Sequence, residues 1–170
     1  MAAEQLLTVM IEIPKGSRNK YEYDKQEKRI VFDRMLFSSV HYPSDYGFIL
    51  DTLAGDQDPL DALVLVWEST FPGCVIKARP VGLFRMHDEK GPDEKILCVP
   101  TGDPLWNHIT DLDQVPPHLL KEIEHFFSIY KDLEEKKTSV EGWEGLDAAL
   151  KIIKESRERF FRDRGMTFID

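Results

Sequence analysis

The segment Asp56-Gln57-Asp58-Pro59-Leu60-Asp61 places three carboxylates within six residues, just before the apolar run Ala62 to Trp67. In extended backbone, residues two apart point to the same side, and Pro59 biases Asp58 toward that conformation. Asp56 and Asp58 are therefore expected to face one site. Carboxylates held this close raise one another's pKa and destabilise the chain unless a cation lies among them, which points to a hard divalent metal. The competing reading is a polar turn whose aspartates hydrogen-bond the local backbone, and for any single DxD pattern it is the commoner one. A calcium loop of the EF-hand type is disfavoured, because its sixth position needs glycine and is Asp61 here. Magnesium suits the segment better: it takes a few carboxylates in near-octahedral geometry, keeps some of its waters and leaves room for phosphate oxygens.

A second acidic set, Asp88, Glu89 and Asp93, is followed by Lys95. Alone it reads as a solvated turn, but if both loops meet at one end of a sheet, their carboxylates surround more than one metal. Such a pair of ions lowers the pKa of bound water and neutralises a polyanionic substrate. A phosphate-bearing substrate also needs cations from neighbouring elements. Lys20 alternates with Glu22 along one strand face, Arg34 follows the next strand, Tyr42 to Phe48 leads into the acidic loop, and Tyr130-Lys131 ends an apolar helical face. Each has an ordinary reading as a solvated strand face, a core tyrosine with a wet hydroxyl or an exposed lysine. The five histidines show no HxH or HExxH spacing, which argues against zinc, and GxxxxGK[ST], GxGxxG and GxSxG patterns are missing.

These side chains need a scaffold, and the hydrophobic period supplies one. Thr8 to Ile13 alternates as a strand, Tyr21 to Tyr23 and Arg29 to Phe32 flank Asp24-Lys28 as a hairpin, and Asp61 to Trp67 reads as a buried strand. Cys74 to Met86 is a long strand with Pro80 at an edge or bulge, and Lys95 to Val99 pairs with it antiparallel across the polar connector His87 to Glu94. After Pro116-Pro117 the period becomes helical through Leu119, Leu120, Ile123, Phe126, Phe127 and Tyr130. A second helix runs over Leu146, Ala149, Leu150, Ile153, Phe160 and Phe161, with Gly165 as its stop. Strands followed by helices give an α+β protein, a small closed or highly curved sheet with helices outside it. One domain spans 1–170, its sheet at about 5–100 and its helical part at about 115–165.

The chain has 170 residues, 42% hydrophobic and 31% charged, which is enough for a core without an internal linker. A net charge of −9 opposes nucleic acid and anionic membranes. No apolar stretch reaches membrane-spanning length, and Cys74 and Cys98 form no CxxC pair, so a cytoplasmic protein without disulfides is expected.

Taken in order, Ile11-Glu12-Ile13-Pro14, Lys20-Tyr21-Glu22, Asp33-Arg34, Tyr42-Pro43, Asp45-Tyr46-Gly47-Phe48, Asp56 to Asp61, Arg79 to Gly82, Asp88-Glu89 with Asp93 and Lys95, His125 to Phe127 with Tyr130 to Glu134, and Val140 to Trp143 resemble the family I soluble inorganic pyrophosphatases. The stretch from Arg79 to Asp103 is similar to bacterial, actinobacterial-type members. The resemblance implies a five-stranded, OB-like β-barrel with flanking α-helices. It also implies Mg²⁺-dependent hydrolysis of pyrophosphate to two phosphates by a metal-activated water, without a covalent intermediate, and with Mn²⁺ as a substitute ion. By position it assigns Asp56, Asp61, Asp93, Asp88 and Glu12 to metal ions and Asp58 to the general base. Lys20, Arg34, Tyr46, Lys95, Tyr130 and Lys131 go to the substrate, while Glu22, Tyr42 and Glu89 support the pocket. A homohexamer follows from the same likeness, with His108 and His125 as candidate subunit contacts. Gln57 departs from the pattern, which has a small or short polar residue there. It is expected to point away from the site, and it would be strained if its backbone needed a positive φ. Two further readings stand beside the enzyme: a catalytically silent metal-binding relative, and an OB-like module for single-stranded nucleic acid, which the acidic charge disfavours.

Overall fold

The computed structural model describes residues 5–169. Strand β1 (Leu7–Ile13) buries Leu7, Val9, Ile11 and Ile13 and leaves the residues between them half-buried, the two-residue period expected of it. A separate antiparallel hairpin, β2 (Asn19–Asp24) and β3 (Arg29–Met35), turns at Asp24, whose Oδ1 accepts the N–H groups of Gln26 and Glu27 at 2.8 Å each. There follow β4 (Asp45–Ile49), β5 (Asp61–Val64), β6 (Val75–Asp88), β7 (Gly91–Pro100), α1 (Pro117–Ile129), β8 (Ser139–Glu144) and α2 (Leu146–Asp163).

The main sheet runs β1-β4-β5-β7-β6, and β1 also pairs with β6, so five strands close into a ring and β8 adds to the free side of β6. This is the expected small closed sheet with helices, and closure removes exposed edges from the five strands. Every pairing in the ring is antiparallel except β5 with β7, which runs parallel and sets Asp61 opposite Lys95. Where β4 crosses β1, a Cβ on Gly47 would lie 1.8 Å from the Met10 carbonyl oxygen, so only glycine permits the pairing.

Alternation along the strands sends side chains into two apolar clusters. Leu63, Leu97, Phe84 and Met86 join Ile123, Phe126 and Phe127 of α1; Ala62, Val64, Ile96 and Cys98 join Ala149, Ile152 and Ile153 of α2. Each helix is thus fixed by burial of its apolar stripe against the sheet.

The structure corrects several expectations. The fifth strand ends at Val64, although Leu65 and Val66 stay buried. The connector His87 to Glu94 is mostly strand: β6 and β7 pair out to Asp88 and Gly91, leaving Glu89-Lys90 as the turn, with Gly91 at φ 117°. Pro80 does sit at an irregularity, since the β6–β7 register shifts between Pro80 and Gly82. The segments that became β4 and β8 were not anticipated as strands.

Candidate active site

The ring, the β2–β3 hairpin and the end of α1 enclose a cleft of about 260 Å³. Seven carboxylates, those of Glu12, Glu22, Asp56, Asp58, Asp61, Asp88 and Asp93, line it against the four lysines Lys20, Lys25, Lys90 and Lys131. Tyr46 and Tyr130 also line it. Four expected residues lie off its surface. Lys95 is its floor, Tyr42 is buried against Tyr46 and Phe126 at ring distances of 5.4 and 4.7 Å, and Arg34 and Glu89 are not among the lining residues.

Lys95 organises the floor. Only 1% of it is exposed, and its Nζ donates to Tyr46 Oη at 2.8 Å and to Asp61 Oδ2 and Asp93 Oδ2 at 3.0 Å each. Tyr46 Oη in turn donates to Asp61 Oδ2 at 2.8 Å. Burial works against an ammonium, but Asp61 and Asp93 outweigh it and hold Lys95 above its ordinary pKa. Burial raises Asp93, with Asp61 adding to the shift and Lys95 opposing it. The Tyr46 phenol is pushed well above its usual value by burial and then by the same two carboxylates, so it stays a neutral donor.

Glu12 projects from β1 beneath the β2–β3 hairpin, where its Oε2 accepts the Tyr23 N–H at 2.8 Å. Burial raises its pKa to about 7, with Asp61 contributing in the same direction. Opposite, Lys131 Nζ reaches Glu89 Oε2 at 3.2 Å and Asp88 Oδ2 at 3.5 Å, tying the end of α1 to the β6–β7 turn.

The acidic loop takes a shape that alternation does not give. Gln57 has φ 70° and Asp51 φ 58°, so the loop is a compact turn and not an extended segment. The Asp58 N–H donates to Asp56 Oδ1 at 3.0 Å and the Asp58 carbonyl accepts the Ala54 N–H at 2.7 Å. Asp56 and Asp58 still reach the same cleft, through the turn, while Gln57 is exposed and does not line it. The left-handed backbone that would strain Gln57 is therefore present.

Sequence reasoning gave no role to two carboxylates that hold the cations, nor to a further lysine beside the acidic loop. Asp33 Oδ2 pairs with Lys20 at 3.1 Å and Arg34 at 2.6 Å, and half-buried Glu134 accepts a hydrogen bond from Arg34 Nη2 at 3.1 Å, its other oxygen lying 2.8 Å from Nε as an ion pair. Lys25, at the tip of the hairpin, brings its Nζ to 3.9 Å from Asp58 Oδ1. Asp33 and Glu134 stood in the segments that carried the resemblance, but the Arg34–Glu134 contact spans 100 positions and leaves no local signal.

The donors in the cleft are oxygens in excess over facing cations, the set a hard divalent ion takes. Among the described residues no three acidic, histidine or cysteine side chains are already gathered to hold an ion. Between Asp61 and Asp93 it is the Lys95 ammonium that offsets the charge. The donor chemistry fits a divalent metal, with side-chain rotation needed to complete a coordination shell.

Comparison with known proteins agrees with this chemistry. The profile of the inorganic pyrophosphatase family matches residues 9–161. An inorganic pyrophosphatase of Methanosarcina acetivorans is 67% identical over 160 residues, covering 94% of this chain and 95% of that protein. One from Streptomyces coelicolor is 55% identical over 159 residues, covering 92% and 96%. The crystal structure of the inorganic pyrophosphatase from Thermus thermophilus superposes with a TM-score of 0.90 at 44% identity, covering 94% of each chain. Relatives so similar over nearly the whole length, on the same fold, leave one assignment: this chain belongs to the inorganic pyrophosphatase family.

Proposed function

We propose that this chain hydrolyses pyrophosphate to two phosphates with Mg²⁺, Mn²⁺ being able to replace it, by direct attack of water and without a covalent intermediate. The observation that carries the reading is the cleft whose floor is Lys95 clamped between Asp61 and Asp93, in a chain that matches pyrophosphatases along nearly its whole length. Asp56, Asp61, Asp93, Asp88 and Glu12 hold the ions. When bound, such ions supply Lewis acidity, lowering the pKa of water and offsetting charge on phosphate oxygens.

The chain's own groups do the rest. Asp58, exposed at the mouth of the cleft, accepts the proton of the attacking water. Lys20, Arg34, Tyr130 and Lys131 bind the phosphate oxygens, and the carboxylates paired with Lys20, Arg34 and Lys131 keep these three aligned before substrate arrives, so that in-line transfer is mainly positioning and charge neutralisation. Lys95 and Tyr46 orient Asp61 and Asp93 from below, while Glu22, Tyr42 and Glu89 support the walls. The two unpaired cysteines, Cys74 and Cys98, suit the reducing cytoplasm, and no helix among the described residues is long and apolar enough to cross a membrane. Exposed Phe37, Trp67 and Phe71 support self-association, for which the homohexamer is the expected form.

The test is phosphate release from pyrophosphate by the purified protein, with Mg²⁺ or Mn²⁺ and with a chelator. Release that requires the ion and stops on chelation supports the reading. No release at any divalent-ion concentration leaves the silent relative in its place.

A further inference from the structure

The turn bearing Asp56 and Asp58 is strained and needs an external hold. Two non-glycine residues, Asp51 and Gln57, occupy left-handed backbone within seven positions. Such conformations persist only where the surroundings over-determine them. The base of the loop is closed by Thr52, whose hydroxyl donates to the Ile49 carbonyl at 2.6 Å and accepts the Leu60 N–H at 3.0 Å. Above that base, both polar groups of the Leu53 peptide unit are taken by α2: the Leu53 N–H donates to the Ser156 carbonyl at 3.0 Å, and Arg159 Nη1 donates to the Leu53 carbonyl at 2.6 Å. The next residue, Ala54, makes the hydrogen bonds that shape the turn, donating to the Asp58 carbonyl at 2.7 Å and accepting the Gln57 N–H at 3.1 Å. Arg159 also lines a second cleft that shares Asp56, Asp61 and Asp93 with the substrate cleft, which Arg159 itself does not line.

We propose that Arg159 is a positioning residue: through the Leu53 carbonyl it locks the turn that presents Asp56 and Asp58, and thereby sets how well the site binds its divalent ion. The inference rests on the metal-dependent reading above. A guanidinium fits this task because its donors are fixed in one plane and its charge is permanent, so it holds a carbonyl with little freedom left to lose.

The experiment uses Arg159→Met and Arg159→Lys, with Arg162→Met on the same helix, exposed to solvent, as the control for lost charge. Hydrogen exchange at the Ala54 and Gln57 amides and calorimetric Mn²⁺ titration are followed on the metal-free protein. In Arg159→Met both amides exchange roughly tenfold faster and Mn²⁺ affinity falls by a similar factor, as loss of one charge-assisted hydrogen bond predicts. Exchange within α2 stays as in the parent, Arg159→Lys recovers part of the loss, and Arg162→Met changes neither readout. Parent-like exchange and affinity in Arg159→Met overturn the proposal, as does loosening spread over α2 and the ring. If Arg159→Met does not fold, Arg159→Lys is read the same way, and failure of both to fold also overturns it. A parent protein that binds no Mn²⁺ defeats the metal reading itself, a result distinct from any of these.

Discussion

Asp61 and Lys95 are register partners on the parallel β5–β7 ladder, and their side chains meet at 3.0 Å over the floor of the cleft. The sheet thus fixes the separation of a carboxylate and an ammonium that lie 34 positions apart in sequence. Asp93, two residues before Lys95 on the same strand, points to the same side and completes the clamp.

Removing the ammonium leaves two carboxylates facing each other in a poorly solvated place. Lys95→Met is expected to lower the stability of the metal-free protein by about 3–5 kcal/mol, the usual consequence of breaking a buried charge pair. Urea denaturation measures this. Added Mg²⁺ recovers part of the loss, since the ion takes over the neutralisation.

At Gln57 the strain has a sign that substitution can reveal. Its φ of 70° suits glycine, and relief of the left-handed penalty is partly offset by the greater freedom of unfolded glycine. Gln57→Gly is therefore expected to gain roughly 0.5–1 kcal/mol. Gln57→Val, β-branched, moves the other way. Denaturant midpoints for the pair decide it.

Asp58 is exposed, and among the described residues its carboxylate has only the long, solvent-facing contact with Lys25 at 3.9 Å. Asp58→Asn keeps shape and hydrogen bonding while removing the basic oxygen. Turnover is expected to fall roughly 10²–10⁴-fold with the thermal midpoint little changed, the range typical of a lost general base. Phosphate-release kinetics beside a melting curve test this, and unchanged turnover removes Asp58 from the role.

Glu12 links stability to pH. Its pKa is about 7 in the fold against 4.5 as an unperturbed side chain, with burial the main cause. The folded state therefore holds a proton that the unfolded state has released between these values. Stability of the metal-free protein is greatest below pH 4.5 as far as this group is concerned, and declines as pH rises through 7. The full effect is at most roughly 3 kcal/mol. Glu12→Gln, neutral throughout, should flatten the decline between pH 5 and pH 8 in urea melts, within a window of roughly those bounds. A parent and variant with parallel profiles refute the assignment.

The residues proposed for chemistry were legible early, because a metal and phosphate site needs many acids and bases and these stood together as Asp56 to Asp61, Asp88 to Lys95 and Tyr130-Lys131. The strand and helix periods were legible for the same kind of local reason: alternation in β1 and the apolar stripe of α1 are properties of neighbouring residues. The segments β4 and β8 were not, since Gly47 and Gly142 interrupt short runs whose strand state comes from pairing partners elsewhere.

What the sequence determined alone is the inventory: an acidic chain with carboxylates in two clusters, two amphipathic helices and most of the strands that bear them. Tertiary structure decided the rest. It set Asp61 against Lys95 through a parallel register, joined Arg34 to Glu134 across the domain, and bent the Asp56–Asp58 segment into a left-handed turn fastened to α2. Local sequence cannot fix these, because each depends on hydrogen bonds and burial between segments whose proximity exists only once the ring has closed.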